Sequence, residues 1–219
     1  MGTSQNLKEI FLQEINCLAQ SFGQYPWEDR ATYGLWLAQT CYLVRHTTRL
    51  LGLAAGNFGP SKERWHQVTL DGLKEERGHD KLAENDIFRL GYQIEDLPEL
   101  SQTAAIYQSQ YYRVMFTGPV SLFGYALMLE GLVSEFGPHL VETMDNAHGK
   151  SATSFMRVHV IHDDNHFEEG LKALDGISDE EASGVIANLV QSRVLYESMM
   201  RGVQEEVAAN RIEQKIKSA

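Results

Sequence analysis

Two histidines and an aspartate in the second half of the chain have the spacing of a metal-binding helix. His159, Asp163 and His166 stand at positions i, i+4 and i+7, which fall within an arc of about 60° on an α-helix. Two imidazoles and a carboxylate on one face can bind a divalent metal and leave coordination positions open, a ligand set typical of oxygen-activating iron. A solvated acidic face with incidental histidines is the alternative, but the neighbouring Phe155 and Phe167 favour the metal site.

A single carboxylate interrupts the most apolar part of the sequence. Glu130 is the only charged residue between Pro119 and Ser134. A buried carboxylate is costly unless it is paired with a cation or binds a metal. We therefore expect Glu130 to be either a metal ligand or the partner of a buried Arg or Tyr.

A third candidate motif is Glu76-Arg-Gly-His79. The Glu-x-x-His spacing puts both side chains on one helix face and is used by di-metal carboxylate proteins built from helical bundles. Glu75 is an alternative ligand, and the sequence leaves the choice between Glu75 and Glu76 open. We expect Asp86, seven residues after His79, to orient the imidazole of that histidine.

The three motifs together supply the ligands for two metal ions. They contribute three carboxylates and three histidines from three separate helices, and His162 is the substitute if one ligand is misassigned. Iron and manganese both suit such ligands. The predicted metal ligands and catalytic residues are Glu76, His79, Glu130, His159, Asp163 and His166.

Composition limits the classes of function. The 219 residues carry a formal net charge of −11, which argues against nucleic acid or an anionic membrane as the main partner. Cys17 and Cys41 are too few for a disulfide framework or a thiolate metal site. The N-terminus lacks the apolar run of a signal peptide, and we expect no stretch to reach the length that crosses a bilayer. The sequence thus predicts a cytoplasmic protein.

Amphipathic helical periodicity covers nearly the whole chain, and Gly and Pro separate the helices. No linker divides the sequence, so we expect one domain over residues 1–219, an all-α helical bundle of the kind that often holds metal sites between facing helices. The predicted helices cover about 6–22, 28–57, 61–90, 101–116, 119–134, a short helix ending near 149, 151–174, and a long last helix that starts with a capping box at Ser178.

The ordered pattern resembles the heme-oxygenase-like diiron oxidases and oxygenases. The resemblance rests on Glu76-x-x-His79, then Glu130, then His159-x3-Asp163-x2-His166, and it spans roughly residues 60–175. It implies a heme-oxygenase-like bundle of seven to eight helices without heme. It also implies two Fe(II) ions per chain, O2 binding, and oxidation through a peroxo-diferric intermediate. Substrates of such enzymes include fatty acids, amino acids and related amines, and the reactions include desaturation, C–C cleavage and N-oxygenation.

A substrate pocket should adjoin the apolar helix that carries Glu130 and the second helix. Phe123 and Leu127 would form its wall and exclude water, and Tyr42 and Arg45 are candidate substrate-binding residues. Arg45 could hold a substrate carboxylate through two hydrogen bonds, although an Arg that pairs with a surface acid is the simpler interpretation. The sequence is compatible with an external electron donor and with a homodimer formed through long outer helices, and it leaves the identity of the substrate open.

Three other classes of protein remain open from the sequence. A heme-binding protein of the same architecture would use His46 as axial ligand and a glycine-rich helix near Gly124 and Gly131. A thiamin-salvage hydrolase would need a cysteine nucleophile beside a glutamate, and neither cysteine is near Glu130 in sequence. A non-catalytic metal-binding helical protein would bind the metal without substrate-coupled O2 use.

Overall fold

The chain folds into α-helices connected by short turns. The computed structural model describes residues 3–162 and 166–209, with side chains for 6–160 and 166–209. Within this part of the chain four short 3-10 turns accompany nine α-helices. The helices are α1 (Thr3–Gly23), α2 (Arg30–Asn57), α3 (Glu63–Glu75), α4 (His79–Arg89), α5 (Ser101–Phe116), α6 (Leu122–His148), α7 (Ser154–His162), α8 (His166–Ala173) and α9 (Asp179–Ala208).

Capping side chains mark the starts of α2 and α9. Asp29 precedes α2, and its side chain accepts a hydrogen bond from the backbone N–H of Thr32 at 2.8 Å. The predicted capping box at α9 is confirmed, because Ser178 accepts from Glu181 N–H and the Glu181 carboxylate accepts from Ser178 N–H. Each such pair satisfies backbone donors that have no partner within the helix.

Two long helices form the centre of the bundle. The apolar helix α6 packs against α1, α7, α8 and α9, while α2 packs against α3, α4, α5 and α9. Gly124 lets α6 approach α9 closely, since a Cβ at this position would lie 2.2 Å from the carbonyl oxygen of Val185. Glu130 lies on α6 itself, and the other described candidate ligands lie directly after α3 or on α4, α7 and α8.

Two predicted helix boundaries are wrong. The helix expected over 61–90 is interrupted between α3 and α4, where Gly78 has a φ of +97°, a conformation that residues with a Cβ rarely adopt. The two helices expected over 119–149 form the single helix α6, which contains Pro138. Pro138 is exposed, and Ser134, whose carbonyl lacks the N–H of residue 138 as a partner, is half-buried rather than buried.

The expectation that no stretch is long enough to cross a bilayer is also wrong. Within the described residues, the helical stretch Pro119–His148 is long and apolar enough to cross a bilayer by length and composition alone. Of its most apolar 18 residues, 56% are buried inside the structure. Buried core helices share this length and composition, so the stretch does not by itself indicate membrane insertion.

Candidate metal centre

Three predicted ligands from two sequence motifs meet in space. One ligand atom from each of Glu76, His79 and His159 lies within 4.8 Å of the other two. The Nδ1 atom of His79 lies 3.3 Å from Oε2 of Glu76, and the rings of His79 and His159 have centroids 4.7 Å apart. All three residues are half-buried. One carboxylate and two imidazoles at this separation can bind one divalent ion.

The break between α3 and α4 positions the first two of these residues. Glu76 directly follows α3, and His79 is the first residue of α4. The sequence spacing suggested that both residues lie on one continuous helix face, and the structure shows that they do not. The turn at Gly78 nevertheless keeps them adjacent, since the N–H of His79 donates to the carbonyl of Glu76 at 3.3 Å.

His159 is oriented by its own helix. Its Nδ1 lies 2.8 Å from the carbonyl oxygen of Phe155, and a carbonyl can only accept, so Nδ1 carries the proton. The lone pair is then on Nε2, the tautomer that a metal-binding imidazole needs. The ring also packs on Phe155, with centroids 4.2 Å apart.

Asp86 does not bind the imidazole of His79 as the sequence spacing suggested. It is fully buried, and its carboxylate accepts hydrogen bonds from the hydroxyl of Ser154 at 2.5 Å and from the N–H of Phe155 at 2.7 Å. Burial raises the pKa of Asp86, against the opposing effect of these hydrogen bonds. The carboxylate thus connects α4, which begins with His79, to the start of α7, which carries His159.

Glu130 and His166 line a cavity of about 340 Å³ on the other side of the α3 terminus. Phe123 and Leu127 form part of its wall, and Glu75 lines it as well. Glu76 belongs to the three-residue cluster, and the neighbouring Glu75 faces this cavity. Glu130 is half-buried rather than deeply buried as expected, because the cavity brings it near solvent.

The other predicted site residues lie elsewhere or outside the description. Asp163 and the side chain of His162 lie outside the described residues. The hydroxyl of Tyr42 donates to the carbonyls of Ile94 at 3.2 Å and Leu97 at 2.9 Å, and the Arg45 guanidinium lies 4.7 Å above the Tyr42 ring. Among the described residues lining the 340 Å³ cavity, neither Tyr42 nor Arg45 is present. Their substrate-binding role stays a prediction.

Two acidic residues of the cavity escaped the sequence analysis. Asp71 and Glu169 both line it. Asp71 is four residues before Glu75, and Glu169 is three residues after His166. Helical spacing from the candidate ligands would have found both.

The residues that a heme-binding protein or a thiamin-salvage hydrolase would use have other roles in the structure. His46 Nδ1 lies 3.0 Å from the hydroxyl of Tyr111. A Cβ on Gly124 or Gly131 would collide with α9 or with the side chain of Ile15 at 2.3 Å, so these glycines serve helix packing and leave no space for a porphyrin there. Burial raises the pKa of the Cys41 thiol, which disfavours a nucleophilic thiolate.

Comparison with known proteins agrees with this architecture. The model of a family described as iron-containing redox enzyme matches residues 35–197. A search of curated proteins gives no match.

Three solved structures show the same fold. A domain of unknown function with a heme oxygenase-like fold from Shewanella denitrificans has a TM-score of 0.82 and 18% identity over 94% of both chains. A TenA homolog from Pseudomonas syringae has a TM-score of 0.75 and 12% identity over 92% of both. A CADD-like protein of unknown function from Nostoc punctiforme has a TM-score of 0.61 and 14% identity over 98% of this chain and 97% of that one. The predicted all-α heme-oxygenase-like fold is confirmed.

Proposed function

Because the chain belongs to the family of iron-containing redox enzymes, we propose that it is a non-heme diiron oxidoreductase that uses O2 to oxidise a small organic substrate. The observation that carries this proposal is the cluster of Glu76, His79 and His159, whose ligand atoms lie within 4.8 Å of one another. The adjoining cavity, lined by Glu130 and His166, supplies further ligands and space for a substrate.

The donor atoms fit iron. Carboxylate and neutral imidazole ligands suit Fe(II), and they suit Mn(II) as well. In this proposal Glu76, His79 and His159 hold one ion, and Glu130 and His166 hold the second. Asp163 is assigned to the second ion on sequence spacing alone.

Bound ferrous ions would supply electrons to O2, and the protein contributes positioning and the exclusion of water. Nδ1 of His159 keeps its proton and donates it to the Phe155 carbonyl, which leaves the lone pair of Nε2 available to a metal. Phe123 and Leu127 cover one side of the cavity with apolar surface, which limits the access of water to the reacting groups. Reducing equivalents beyond those of the two ions would come from an external donor.

Anaerobic Fe(II) titration tests the proposal. We expect two ions per chain in the unaltered protein, and weaker or lost binding in His159→Ala and Glu130→Ala. His139→Ala is the matched control, because His139 is exposed on α6 and should leave the stoichiometry unchanged. Full occupancy in the double variant Glu130→Ala/His166→Ala would refute the site assignment.

Oxygen uptake separates an enzyme from a protein that only binds metal. An oxidase consumes O2 after iron loading, and the uptake rises when a substrate is present. Iron binding without substrate-dependent O2 uptake would favour the non-catalytic class. Hemin titration should leave the Soret band of free hemin unchanged, whereas a shifted and sharpened band would favour the heme-binding class.

A further inference from the structure

The cavity beside the candidate metal centre has an acidic and apolar lining. Its described lining residues include four carboxylates and one histidine, and neither Lys nor Arg is among them. The carboxylates belong to Asp71, Glu75, Glu130 and Glu169. The remaining lining is mostly apolar and includes Leu51, Val68, Leu122, Phe123, Ala126 and Leu127.

These groups are arranged by depth. Asp71, Glu75 and Glu169 are exposed, whereas Glu130 and His166 are half-buried. Residues that line a cavity and are exposed lie at its opening, so the opening is acidic and the candidate metal ligands lie further in. Val68 is also exposed, so a ligand that enters passes the three carboxylates and this apolar residue before it reaches the rest of the apolar wall.

The acidic character of the opening persists when metal is bound. Coordination would balance the charge of Glu130, but it would leave the three carboxylates at the opening. The nearby Lys74 binds Asp71 at 2.7 Å and is itself highly exposed, so it offsets part of one charge at high dielectric. The formal net charge of −11 adds to the negative potential.

This charge pattern selects among the substrates that the proposed function allows. The described lining offers a carboxylate ligand neither Lys nor Arg, so only a bound metal ion could hold it, and it would meet like charges at the opening. A primary amine is protonated at neutral pH, and its ammonium group would be attracted to the same carboxylates while its apolar part contacts Phe123 and Leu127. The volume of about 340 Å³ is at the low end of ligand pockets, which span roughly 300–1,000 Å³.

We propose that the cavity binds a small apolar amine in preference to a carboxylic acid of the same size. That this amine is also the molecule oxidised rests on the proposed function. The charge preference itself depends only on Asp71, Glu75 and Glu169 at the opening and on the apolar wall behind them.

A matched pair of ligands tests the preference. Hexylamine and hexanoate have the same chain length and opposite charge, and their binding to the protein without added metal, where neither can coordinate an ion, can be measured by calorimetry. We expect hexylamine to bind about tenfold more tightly than hexanoate, since each partly exposed charge pair contributes a small favourable amount. The preference should shrink as salt is added.

A double variant identifies the groups responsible. Asp71→Asn/Glu169→Gln should lower hexylamine affinity about fivefold, while Glu142→Gln, an exposed acid elsewhere on α6, should leave it unchanged. Equal or tighter binding of hexanoate would overturn the proposal, and so would binding of neither ligand or an unaffected double variant.

The two proposals fail in different ways. Two irons per chain together with a preference for hexanoate would overturn only the charge selection. A preference for hexylamine without iron uptake would overturn only the diiron function.

Discussion

Replacing Asp86 should destabilise the protein and loosen the helix that carries His159. Asp86→Ala removes the acceptor of the buried N–H of Phe155 and of the Ser154 hydroxyl. Loss of a capping side chain costs about 0.5–2 kcal/mol, and a buried donor left without an acceptor costs about 1–3 kcal/mol. Since the two costs overlap, we expect the free energy of unfolding to fall by about 2–3 kcal/mol.

Asp86→Asn should have a smaller effect that depends on pH. Asn keeps one oxygen acceptor, so the loss at neutral pH should be about 1 kcal/mol. Burial raises the pKa of Asp86 above its ordinary value of 3.8, so the folded protein holds this proton more tightly than the unfolded chain does. Its contribution to stability is full below 3.8 and is lost as the pH rises through the raised pKa. The stability advantage of the unaltered protein over Asp86→Asn should therefore shrink from pH 4 to pH 7.

Urea denaturation at several pH values measures both effects. Glu142→Gln serves as the control for removal of one exposed acid and should change the free energy of unfolding by less than about 0.5 kcal/mol. The Fe(II) affinity of Asp86→Ala should also fall, because α7 is no longer tied to α4. Unfolding free energies of Asp86→Ala and Glu142→Gln that agree within error would refute the reasoning.

Three further substitutions test features of the fold. Gly78→Ala should lower the free energy of unfolding, measured by urea denaturation, by about 1–2 kcal/mol, because its φ of +97° is strained for a residue with a Cβ. Gly56→Ala is the matched control. A Cβ at position 56 meets no atom within 4 Å, so this substitution should be neutral or stabilising in the same assay. Gly124→Ala should cost about 1–3 kcal/mol or more in the same assay, because the added methyl group would lie 2.2 Å from a backbone oxygen of α9. Tyr42→Phe should cost about 1 kcal/mol and leave hexylamine binding unchanged; a loss of ligand affinity would instead support the substrate-binding role.

The fold was readable from the sequence because its signals are local. The periodicity of apolar residues predicts α5 at Ser101–Phe116, and the structure has the same bounds. The capping box at Ser178 predicts the start of α9 for the same reason. The helix boundaries are wrong where a single residue decides whether a helix continues. The helix is interrupted near Gly78, and it continues through Pro138, whose effect on a helix depends on its exposure.

The candidate site was readable only in part, because its geometry depends on contacts between distant residues. Helical spacing nominated Glu76, His79 and His159 from two motifs, and these residues lie together. The same spacing assigned Asp86 to His79, whereas its partners come from a segment about 70 residues away in sequence, at Ser154 and Phe155. No periodic pattern encodes that contact, so only the folded chain could reveal it.

Because the chain is interrupted between α3 and α4, a metal ion at the candidate centre would link these two helices. Glu76 follows the last residue of α3, and His79 is the first residue of α4. An ion bound by both residues would therefore stabilise the connection between the two helices. The angle between these helices would then depend on metal occupancy. Amide hydrogens of α3 should exchange with solvent more slowly after metal is added, and those of α9, which lies apart from this joint, should serve as the internal reference.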